Sequence, residues 1–233
     1  FSGNFGARYV KTSQTSSGIA IVNNVQKPST VSRDYSDVLP SMNLVAEITP
    51  DFLVRFGAAK VMSRPALGNL SPGVTVSVSG SARTVSAGNP LLSPIRADTA
   101  DLGFEWYFDE GAMLGLGLFY KNIKSFIQNT RENMIYADSG LPVELLAGTT
   151  AVATDEFVFT VPINTPGGKL SGFEANYTQP FTFLPGAFSN FGMQLNYTYV
   201  DSKIQYLLSS GALAQKEDLT GLSKSSWNAT LFY

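Results

Sequence analysis

The chain has 233 residues, with 16 Lys and Arg against 18 Asp and Glu, and it contains neither Cys nor His. A net charge of -2 supplies no basic stripe for nucleic acid, and the missing Cys and His exclude disulfides, the usual zinc sites and a histidine general base. The apolar runs are far shorter than the ~20 residues of a membrane helix. A β-barrel stays open, because only every second residue of its strands meets lipid.

The first half of the chain contains three strands with alternating polarity, at residues 1–12, about 35–49 and 52–63. The second and third are joined by the tight turn Pro50-Asp51. Two segments rich in Ser, Thr, Asn, Pro and Gly, roughly 13–34 and 64–94, are predicted to be loops. The second of them contains Val74, Val76 and Val78, which indicate a short ribbon.

Residues 101–126 form the clearest hairpin. Leu102, Phe104, Trp106 and Phe108 share one face of its first arm, and the polar sequence Asp109-Glu110-Gly111 turns the chain. In the second arm Leu114, Leu116, Leu118 and Tyr120 lie on one face, whereas Met113, Gly115, Gly117, Phe119 and Lys121 lie on the other. One continuously apolar face and one face with Glu, Lys and Gly are typical of a membrane barrel, although a soluble sandwich also has hairpins of this kind.

The second half contains a long connection over 128–168, a hairpin over 173–199, a loop over about 206–224 and a last strand over 227–233. The chain is therefore predicted to have about eight strands, whose connections alternate between short turns and long loops. A compact soluble domain rarely has four such loops, whereas outer-membrane barrels combine short periplasmic turns with long extracellular loops.

Aromatic side chains support the membrane interpretation. Most of them lie beside the short turns, as a girdle at the membrane surface requires. The predicted interface aromatics are Phe52, Trp106, Phe108, Phe181, Phe183, Phe188, Phe191, Trp227 and Tyr233. The predicted fold is all-β: an antiparallel transmembrane β-barrel that crosses the bacterial outer membrane with many strands and contacts its lipid.

Several segments, in the expected order, resemble the barrel half of TonB-dependent outer-membrane receptors, and most of all the branch common in Caulobacter- and Xanthomonas-like bacteria. The resemblance is carried by GNFGARYVKT, YSDVLPSMNL, LVRFGAAKVMSRPALGNLSPG, GNPLLSP, DLGFEWYF, GLFYKNIKSFI, GGKLSGFEANYTQPF and LNYTYVDSKI. It implies a barrel of about 22 strands closed by a plug domain. Residues 1–233 are then expected to be a fragment with about eight wall strands, without the plug and the TonB box.

The resemblance also implies the function and the partners. The whole receptor would take up a scarce solute, such as an oligosaccharide, a ferric siderophore or a vitamin, by active transport coupled to the TonB energy-transduction complex. Its partners would be its own plug domain, TonB, membrane lipid and the solute. We expect no enzyme activity, no cofactor, no metal and no nucleic-acid partner.

Polar residues on the face opposite the apolar one are predicted to face the lumen or the plug. They are Arg8, Asn43, Glu47, Arg55, Glu105, Lys121, Glu174, Asn176, Gln194 and Asn196. Any wetted wall needs such residues, so solute contact and simple solvation are both open, with plug packing as the specific role expected. Gly115 and Gly117 on this face suit the close approach of a plug or loop, since no helix follows them to bind phosphate.

In the loops, Arg83, Arg131 and Tyr136 are the candidates for ligand binding, because Arg pairs with anionic groups and Tyr stacks on sugars. The alternative that they are ordinary solvated loop residues stays open. Asp155 and Glu156 are too few ligands to define a calcium site. Three Asn-x-Thr sequences, at Asn176, Asn196 and Asn228, match the glycosylation pattern, but they lie inside predicted strands and are interpreted as coincidence.

Two alternatives stay open at this point. Eight strands could close into a small self-contained barrel with a structural or adhesion role, which the aromatic last residue Tyr233 favours. The chain could also be a soluble carbohydrate-binding β-sandwich. An enzyme is disfavoured, because no nucleophile with a matching base is visible.

Overall fold

The computed structural model describes residues 1–22, 25–208 and 212–233, and all eleven of its strands belong to one sheet. No helix in these residues is long and apolar enough to cross a membrane. Short 3-10 turns cover Leu67–Leu70, Tyr136–Ser139, Val143–Leu146 and Gly186–Asn190. The strands are β1 (Ser2–Val22), β2 (Val25–Thr49), β3 (Phe52–Ser63), β4 (Val74–Ser79), β5 (Ala82–Ala87), β6 (Ile95–Asp109), β7 (Ala112–Ile135), β8 (Glu156–Pro180), β9 (Gly192–Leu207), β10 (Leu213–Glu217) and β11 (Ser225–Phe232).

Eight of the strands form a continuous antiparallel wall in the order β1-β2-β3-β6-β7-β8-β9-β11. This confirms the predicted antiparallel β-wall of about eight strands. Within the described residues β1 and β11 do not pair with each other and no second sheet packs on the wall, so the structure is an open, partial barrel. The small closed barrel and the two-sheet sandwich are therefore both wrong.

Two of the segments predicted to be loops, residues 13–34 and 128–168, are largely strand. β1 and β2 stay paired from Ser2↔Val45 to Val22↔Val25, through the whole of 13–34, except for residues 23 and 24, which lie outside the described residues. β7 and β8 stay paired as far as Ile135↔Glu156, so only residues 136–155 of the predicted connection over 128–168 are loop. The predicted ribbon at Val74–Val78 is confirmed as the β4-β5 hairpin.

The physical reason for this error is that residues 13–19 of β1 and 28–34 of β2, whose side chains the structure describes, form no continuous apolar face. Cross-strand pairs there are polar, with Thr15 Oγ1 3.3 Å from Ser32 Oγ and Ser17 Oγ 3.1 Å from Thr30 Oγ1. Backbone hydrogen bonds hold such a ladder whether or not one face is apolar. Amphipathic alternation, on which strand prediction depends, is then missing.

The predicted contrast between the two ends of the wall is present. At one end, β2 and β3 are joined by Pro50-Asp51 and β6 and β7 by Glu110-Gly111, while 181–191 join β8 to β9. Gly111 has φ +71°, which suits a tight turn that other residues rarely adopt. At the other end lie the β1-β2 extension and the longer segments 64–94, 136–155 and 212–224.

One side of the wall, which we term the outer face, carries a continuous apolar band. Cross-strand neighbours such as Phe104↔Leu116 and Leu102↔Leu118 share this face, and Trp106, Leu114, Leu116, Leu118 and Tyr120 are all exposed on it. On β6 the band runs from Ala100 to Phe108, close to the ~9–11 residues with which a tilted strand crosses a bilayer.

The upper edge of this band, the edge away from the short turns, drifts steadily across the wall. The first polar outer-face residue is Lys11 on β1, Lys60 on β3 and Asp98 on β6, which pairs with Lys60; on β9 and β11 it is Asp201 and Ser225. At about 3.3 Å per residue and about 4.8 Å between strands, a drift of about eight residues over the wall corresponds to a strand tilt of roughly 40°. Membrane barrels have strand tilts of about 35–45°.

Candidate functional site on the inner face

The opposite side of the wall, which we term the inner face, is polar. Near its centre the Arg55 guanidinium pairs with the Glu105 carboxylate in a two-pronged contact, Nε to Oε1 at 2.7 Å and Nη2 to Oε2 at 3.1 Å. The hydroxyl of Tyr107 donates to the same Glu105 at 3.1 Å. The three side chains come from neighbouring strands β3 and β6, and the register places them together.

Beside this group, glycines give the inner face a flat floor. Along one row of the sheet, Arg55 lies opposite Gly103, Gly103 opposite Gly117, and Gly117 opposite Glu174. A cation and a carboxylate thus stand at the two ends of a strip without side chains. The floor belongs to a cavity of about 390 Å³, which Asn43 and Asp101 also line. An opposing segment can therefore approach the backbone here closely, as the sequence predicted for glycines on this face.

An asparagine row continues the polar surface across β8, β9 and β11. Asn176 lies opposite Asn196, and Asn196 lies opposite Asn228. The Asn196 amide donates to the Asn176 amide oxygen. All three Asn-x-Thr sequences therefore lie in paired strands, and the repeat of the motif reflects one cross-strand row of amides.

The remaining predicted inner-face residues are spread over the wall. Arg8, Glu47, Lys121 and Gln194 are exposed, like Asn43, and Asn43 donates to Asn4 at 3.2 Å. Lys121 lies opposite Leu170 on β8, and Gln194 lies opposite Thr178. The structure brings together only Arg55 with Glu105 and Asn176 with Asn196, so the predicted set forms a surface and not one compact site.

The segment 64–94, which we term the strap, crosses the inner face. On one side it is held by β1 and β2: the Gln14 amide donates to the Pro90 carbonyl at 3.0 Å, and Arg33 donates to the Ser93 hydroxyl at 2.7 Å and to the Leu91 carbonyl. These anchors lie on strands four or more positions away from β8 in the wall.

On the other side the strap is held by β7 and β8. The Ser93 amide donates to Asn164 Oδ1 at 2.7 Å, and Asn164 Nδ2 donates back to the Ser93 carbonyl at 2.9 Å. Asn89 donates to the Pro162 carbonyl at 3.1 Å, and Ser125 donates to the Pro94 carbonyl at 3.1 Å. Because one residue of the strap contacts both β2 and β8, the wall is curved toward this face and the inner face is its concave side.

A second cavity, of about 370 Å³, lies between the strap and the wall. Its lining is uncharged and polar, with Asn69 and Ser71 from the strap and Asn129 and Thr160 from the wall. The exposed Arg131 lies opposite Thr160, two residues along β7 from Asn129, and makes no salt bridge among the described residues. Arg131 is thus the predicted ligand residue that is accessible beside a cavity.

Arg83 and Tyr136 belong instead to a small core that joins the strap to the loop 136–155. Its buried members are Val85, Tyr136, Leu146, Ala151 and Phe157. Arg83 forms a salt bridge with Asp155 at 3.0 Å. Glu156, the other predicted carboxylate, is the first residue of β8. β5 also pairs with β8 in parallel at 84–86.

Tyr136 has no exposed surface, and its ring packs at 5.1 Å from that of Phe157. Its hydroxyl donates to the Pro142 carbonyl at 2.9 Å, and burial raises the pKa of this hydroxyl above its ordinary value. Because its ring is buried, Tyr136 is not available to stack on a solute, which corrects the prediction from the sequence. A lone Tyr in a polar segment gives no signal that a separate loop core exists.

The interface aromatics lie mainly at the short-turn end of the wall. Trp106 and Phe108 pack at 5.2 Å, and Phe191 packs at 4.8 Å from Tyr233. Phe181 contacts Phe183 and Phe188 contacts Phe191 in the β8-β9 connection, Phe52 lies opposite Trp106, and Trp227 lies opposite Tyr197. Their contact with a membrane surface stays a prediction.

Sequence reasoning missed the residues that hold the strap, Arg33, Ser93 and Asn164. Arg33 and Asn164 lie in segments predicted to be loop, and their contacts join residues 60 and 71 positions apart. Across residues 1–22, 25–208 and 212–233, no three acidic side chains cluster in a way that could hold a metal ion. The features of the inner face are thus its polar surface, the two cavities and the strap that crosses it.

Comparisons with known proteins agree with this arrangement. The family model for the TonB dependent receptor-like β-barrel matches residues 1–233. No curated protein matches the chain. Among solved structures, the siderophore receptor PirA from Pseudomonas aeruginosa is 18% identical with a TM-score of 0.56, over 98% of this chain and 37% of its own.

Two further solved structures are similar. The ferric enterobactin receptor PfeA from Pseudomonas aeruginosa is 16% identical with a TM-score of 0.52, over 97% of this chain and 37% of its own. The hemophore receptor HasR of Serratia marcescens is 14% identical with a TM-score of 0.55, over 97% and 38%. At these identities the likeness shows the fold, and the chain spans less than two fifths of each relative.

Proposed function

Because the chain belongs to the TonB-dependent receptor family of outer-membrane β-barrels, we propose that it forms part of the wall of a receptor that takes up a scarce solute across the bacterial outer membrane. The observation that carries the proposal is the polar inner face, bridged by the strap, on a chain that matches the family from end to end. The receptor binds and admits the solute and makes or breaks no bond in it.

We place the apolar band of the outer face in the membrane. Its length on β6 and the drift of its upper edge suit tilted strands that cross a bilayer several times. The short turns then lie in the periplasm, while the strap and the loop core lie on the extracellular side. In this orientation a solute meets the strap before it reaches the glycine floor.

The glycine floor is our candidate for the contact with the plug domain of the whole receptor. Glu174 at one end of the floor offers a carboxylate to a partner that enters here, while Arg55 at the other end is held by its ion pair with Glu105. A plug that packs here would explain why Gly103 and Gly117 carry no side chain toward the cavity. Coupling to TonB would act through that plug, outside this part of the wall.

Arg131 and the neutral cavity beside it are our candidates for solute contact. The guanidinium is exposed on the extracellular part of the wall, next to the amides and hydroxyls of Asn129 and Thr160. Such a mixture binds a ligand that carries both an anionic group and hydroxyl or carbonyl oxygens. Ferric siderophores and acidic oligosaccharides both fit this description. Arg83 contributes by keeping the β4-β5 hairpin in place through Asp155.

The test uses the full-length receptor in cells with and without a working TonB. Candidate radiolabelled solutes are ferric siderophores, cobalamin and oligosaccharides, and we expect one class to accumulate only where TonB works. Arg131→Gln should then weaken its binding about tenfold, whereas Glu132→Gln, on the neighbouring residue of the other face, should not. TonB-independent accumulation of every solute tested would reject the proposed function.

A further inference from the structure

Four arginines, which we term the arginine column, follow one another along the inner face of β1 and β2. Two belong to these strands, one is the first residue of the strap, and one stands at the start of β6. They come from four separate parts of the chain, so no local sequence pattern joins them. The four residues are Arg8, Arg33, Arg64 and Arg96.

The strand register gives the spacing of the arginine column. Four successive rows of the inner face pair as Arg8↔Leu39, Val10↔Asp37, Thr12↔Tyr35 and Gln14↔Arg33. Arg96 contacts Asp37 of the second row at 2.5 and 3.2 Å. Arg64 donates to Thr12 of the third row at 3.2 Å. Each row therefore holds one guanidinium group. Because rows on one face of a strand are about 6.7 Å apart, the column spans about 20 Å.

The charges of the column favour an anionic occupant. The buried carboxylate of Asp37 balances Arg96. Among the described residues, Arg8, Arg33 and Arg64 form no salt bridge, and the last two donate to hydroxyl or carbonyl oxygens. Three of the four positive charges are thus uncompensated, and like charges on neighbouring rows repel each other. An anionic group seated between two rows would replace this repulsion by attraction.

The height of the column on the wall places its two ends at different depths. Lys11, the first polar residue on the outer face of β1, lies between the second and the third row. Arg33 therefore stands above the edge of the apolar band, where it contacts the strap, whereas Arg8 stands below that edge. A solute that passes the strap along β1 and β2 meets the guanidinium groups one after another on its way inward.

The length of the column distinguishes between the kinds of anionic solute. A compact anionic complex holds its charges in one cluster and engages neighbouring rows at most. A linear oligosaccharide with a carboxylate on each sugar repeats its negative charge along its length, as the guanidinium groups repeat along the strands. Arginine and carboxylate pair through two parallel hydrogen bonds, so each row offers one such contact.

We propose that the arginine column binds a linear acidic oligosaccharide, whose successive carboxylates pair with the guanidinium groups of successive rows as the chain enters the barrel. The inference rests on the proposed function and narrows it to one class of solute. It assigns a binding role to Arg8, which the sequence placed only on the lumen or plug side, and to Arg64, which the sequence did not single out.

The experiment measures binding to the full-length receptor in detergent by titration calorimetry. The probes are the hexamers of galacturonate and of mannuronate, the uncharged methyl ester of the galacturonate hexamer, and the galacturonate monomer. The variant carries Arg8→Gln and Arg64→Gln and leaves the anchors of the strap and of Asp37 in place. The matched control carries Lys11→Gln and Lys60→Gln, which remove two exposed charges from the outer face nearby. A thermal melt of each variant reports whether the wall is folded.

We expect at least one hexamer to bind, the double variant to lose about tenfold or more of that affinity, and the control to bind like the unaltered receptor. The ester and the monomer should bind weakly. Binding of neither hexamer, equal binding of hexamer and ester, or equal affinities of variant and control would overturn the inference. If the double variant melts early, Arg8→Gln is compared with Lys11→Gln, and the same outcomes decide.

The uptake assay in cells separates this inference from the proposed function. If neither hexamer binds but a ferric siderophore or cobalamin accumulates only where TonB works, the arginine column has another role and the proposed function stands. If no solute accumulates in a TonB-dependent way, the proposed function itself fails.

Discussion

The backbone of Ser93 and the side-chain amide of Asn164 hold each other in both directions, with N–H to Oδ1 at 2.7 Å and Nδ2 to the carbonyl at 2.9 Å. An asparagine that pairs with a backbone in this way replaces one rung of a β-ladder. It anchors the strap to β8 without adding a strand. Arg33 on β2 donates to the hydroxyl of the same Ser93. Ser93 therefore fixes the strap to both sides of the concave face.

Asn164→Ala should loosen the strap. Two hydrogen bonds worth about 1 kcal/mol each are lost, which raises the opening equilibrium of residues 89–94 by roughly thirtyfold. Amide hydrogen exchange of the peptide that covers these residues measures the change. Asn133→Ala is the control, because Asn133 is exposed on β7 and its side chain forms no hydrogen bond among the described residues. Equal protection in both variants would show that the Asn164 bonds do not hold the strap.

Tyr136→Ala should unfold the loop core while the wall persists. The cost is about 3–5 kcal/mol, as for other large aromatic side chains removed from a core. Tyr136→Phe, which loses only the bond to the Pro142 carbonyl, should cost about 1 kcal/mol. Protease cleavage within 136–155, set against cleavage elsewhere in the receptor, measures both. A wall that unfolds together with the loop would contradict the separation of the two.

The loop core should also weaken at high pH. Burial raises the pKa of Tyr136 above 10.0, so the folded loop favours the protonated phenol. Its stabilising contribution is complete below the pKa of the unfolded chain and is lost as the pH rises toward the higher folded value. Hydrogen exchange between pH 9 and 11, corrected for the intrinsic rate, should show the loss, and Tyr136→Phe should abolish this dependence.

Gly117→Leu tests the glycine floor in the full-length receptor. The wall should still fold, because the nearest atom to an added Cβ is the Glu174 carbonyl oxygen at 4.0 Å. The larger side chain should fill the cavity and lower uptake at least tenfold if the plug packs there. The control is Ala175→Leu, which adds a similar side chain next to Glu174 on β8 but on the outer face. Normal uptake by Gly117→Leu would remove the floor from the list of plug contacts.

Substitutions at two neighbouring residues of β9, Leu195 on the outer face and Gln194 on the inner face, test which face contacts lipid. Leu195→Arg should lower the free energy of unfolding in a bilayer by about 2–4 kcal/mol, because the cation meets lipid, and Gln194→Arg should change it little. Reversible unfolding of the receptor in lipid vesicles gives both values. Equal effects would mean that the outer face is not the lipid-facing one.

The sequence was sufficient for the wall wherever one face is apolar. Leu102, Phe104 and Trp106 set the register against Leu118, Leu116 and Leu114, and the observed pairs follow that alternation. A shift of the pairing register by two residues would leave every side chain on the same face of the sheet. The short turns at Pro50 and Gly111 restrict the register to the observed one. Within this band, local polarity and turn chemistry were enough.

Elsewhere the determinants are non-local. Arg33, Ser93 and Asn164 meet only because the wall curves, and curvature is a property of many strands together. Tyr136 is buried because the β4-β5 hairpin returns to β8 from another part of the chain, which brings Val85 against it. No local pattern reports either event, so the predicted role of Tyr136 was wrong, and residues 128–135 and 156–168 beside it, which are strand, were predicted to be loop.

The paired extension of β1 and β2 has a consequence for how this protein can change over time. At residues 13–19 and 28–34 the outer face is exposed, while the inner face is half-buried against the strap. The backbone ladder does not depend on which side chains line the outer face, so most substitutions on that face cost little stability, whereas those at Gln14 and Arg33 release the strap. We therefore expect related proteins to diverge most along this hairpin, and antibodies or phages that recognise it to be evaded by single substitutions that leave the rest of the receptor intact.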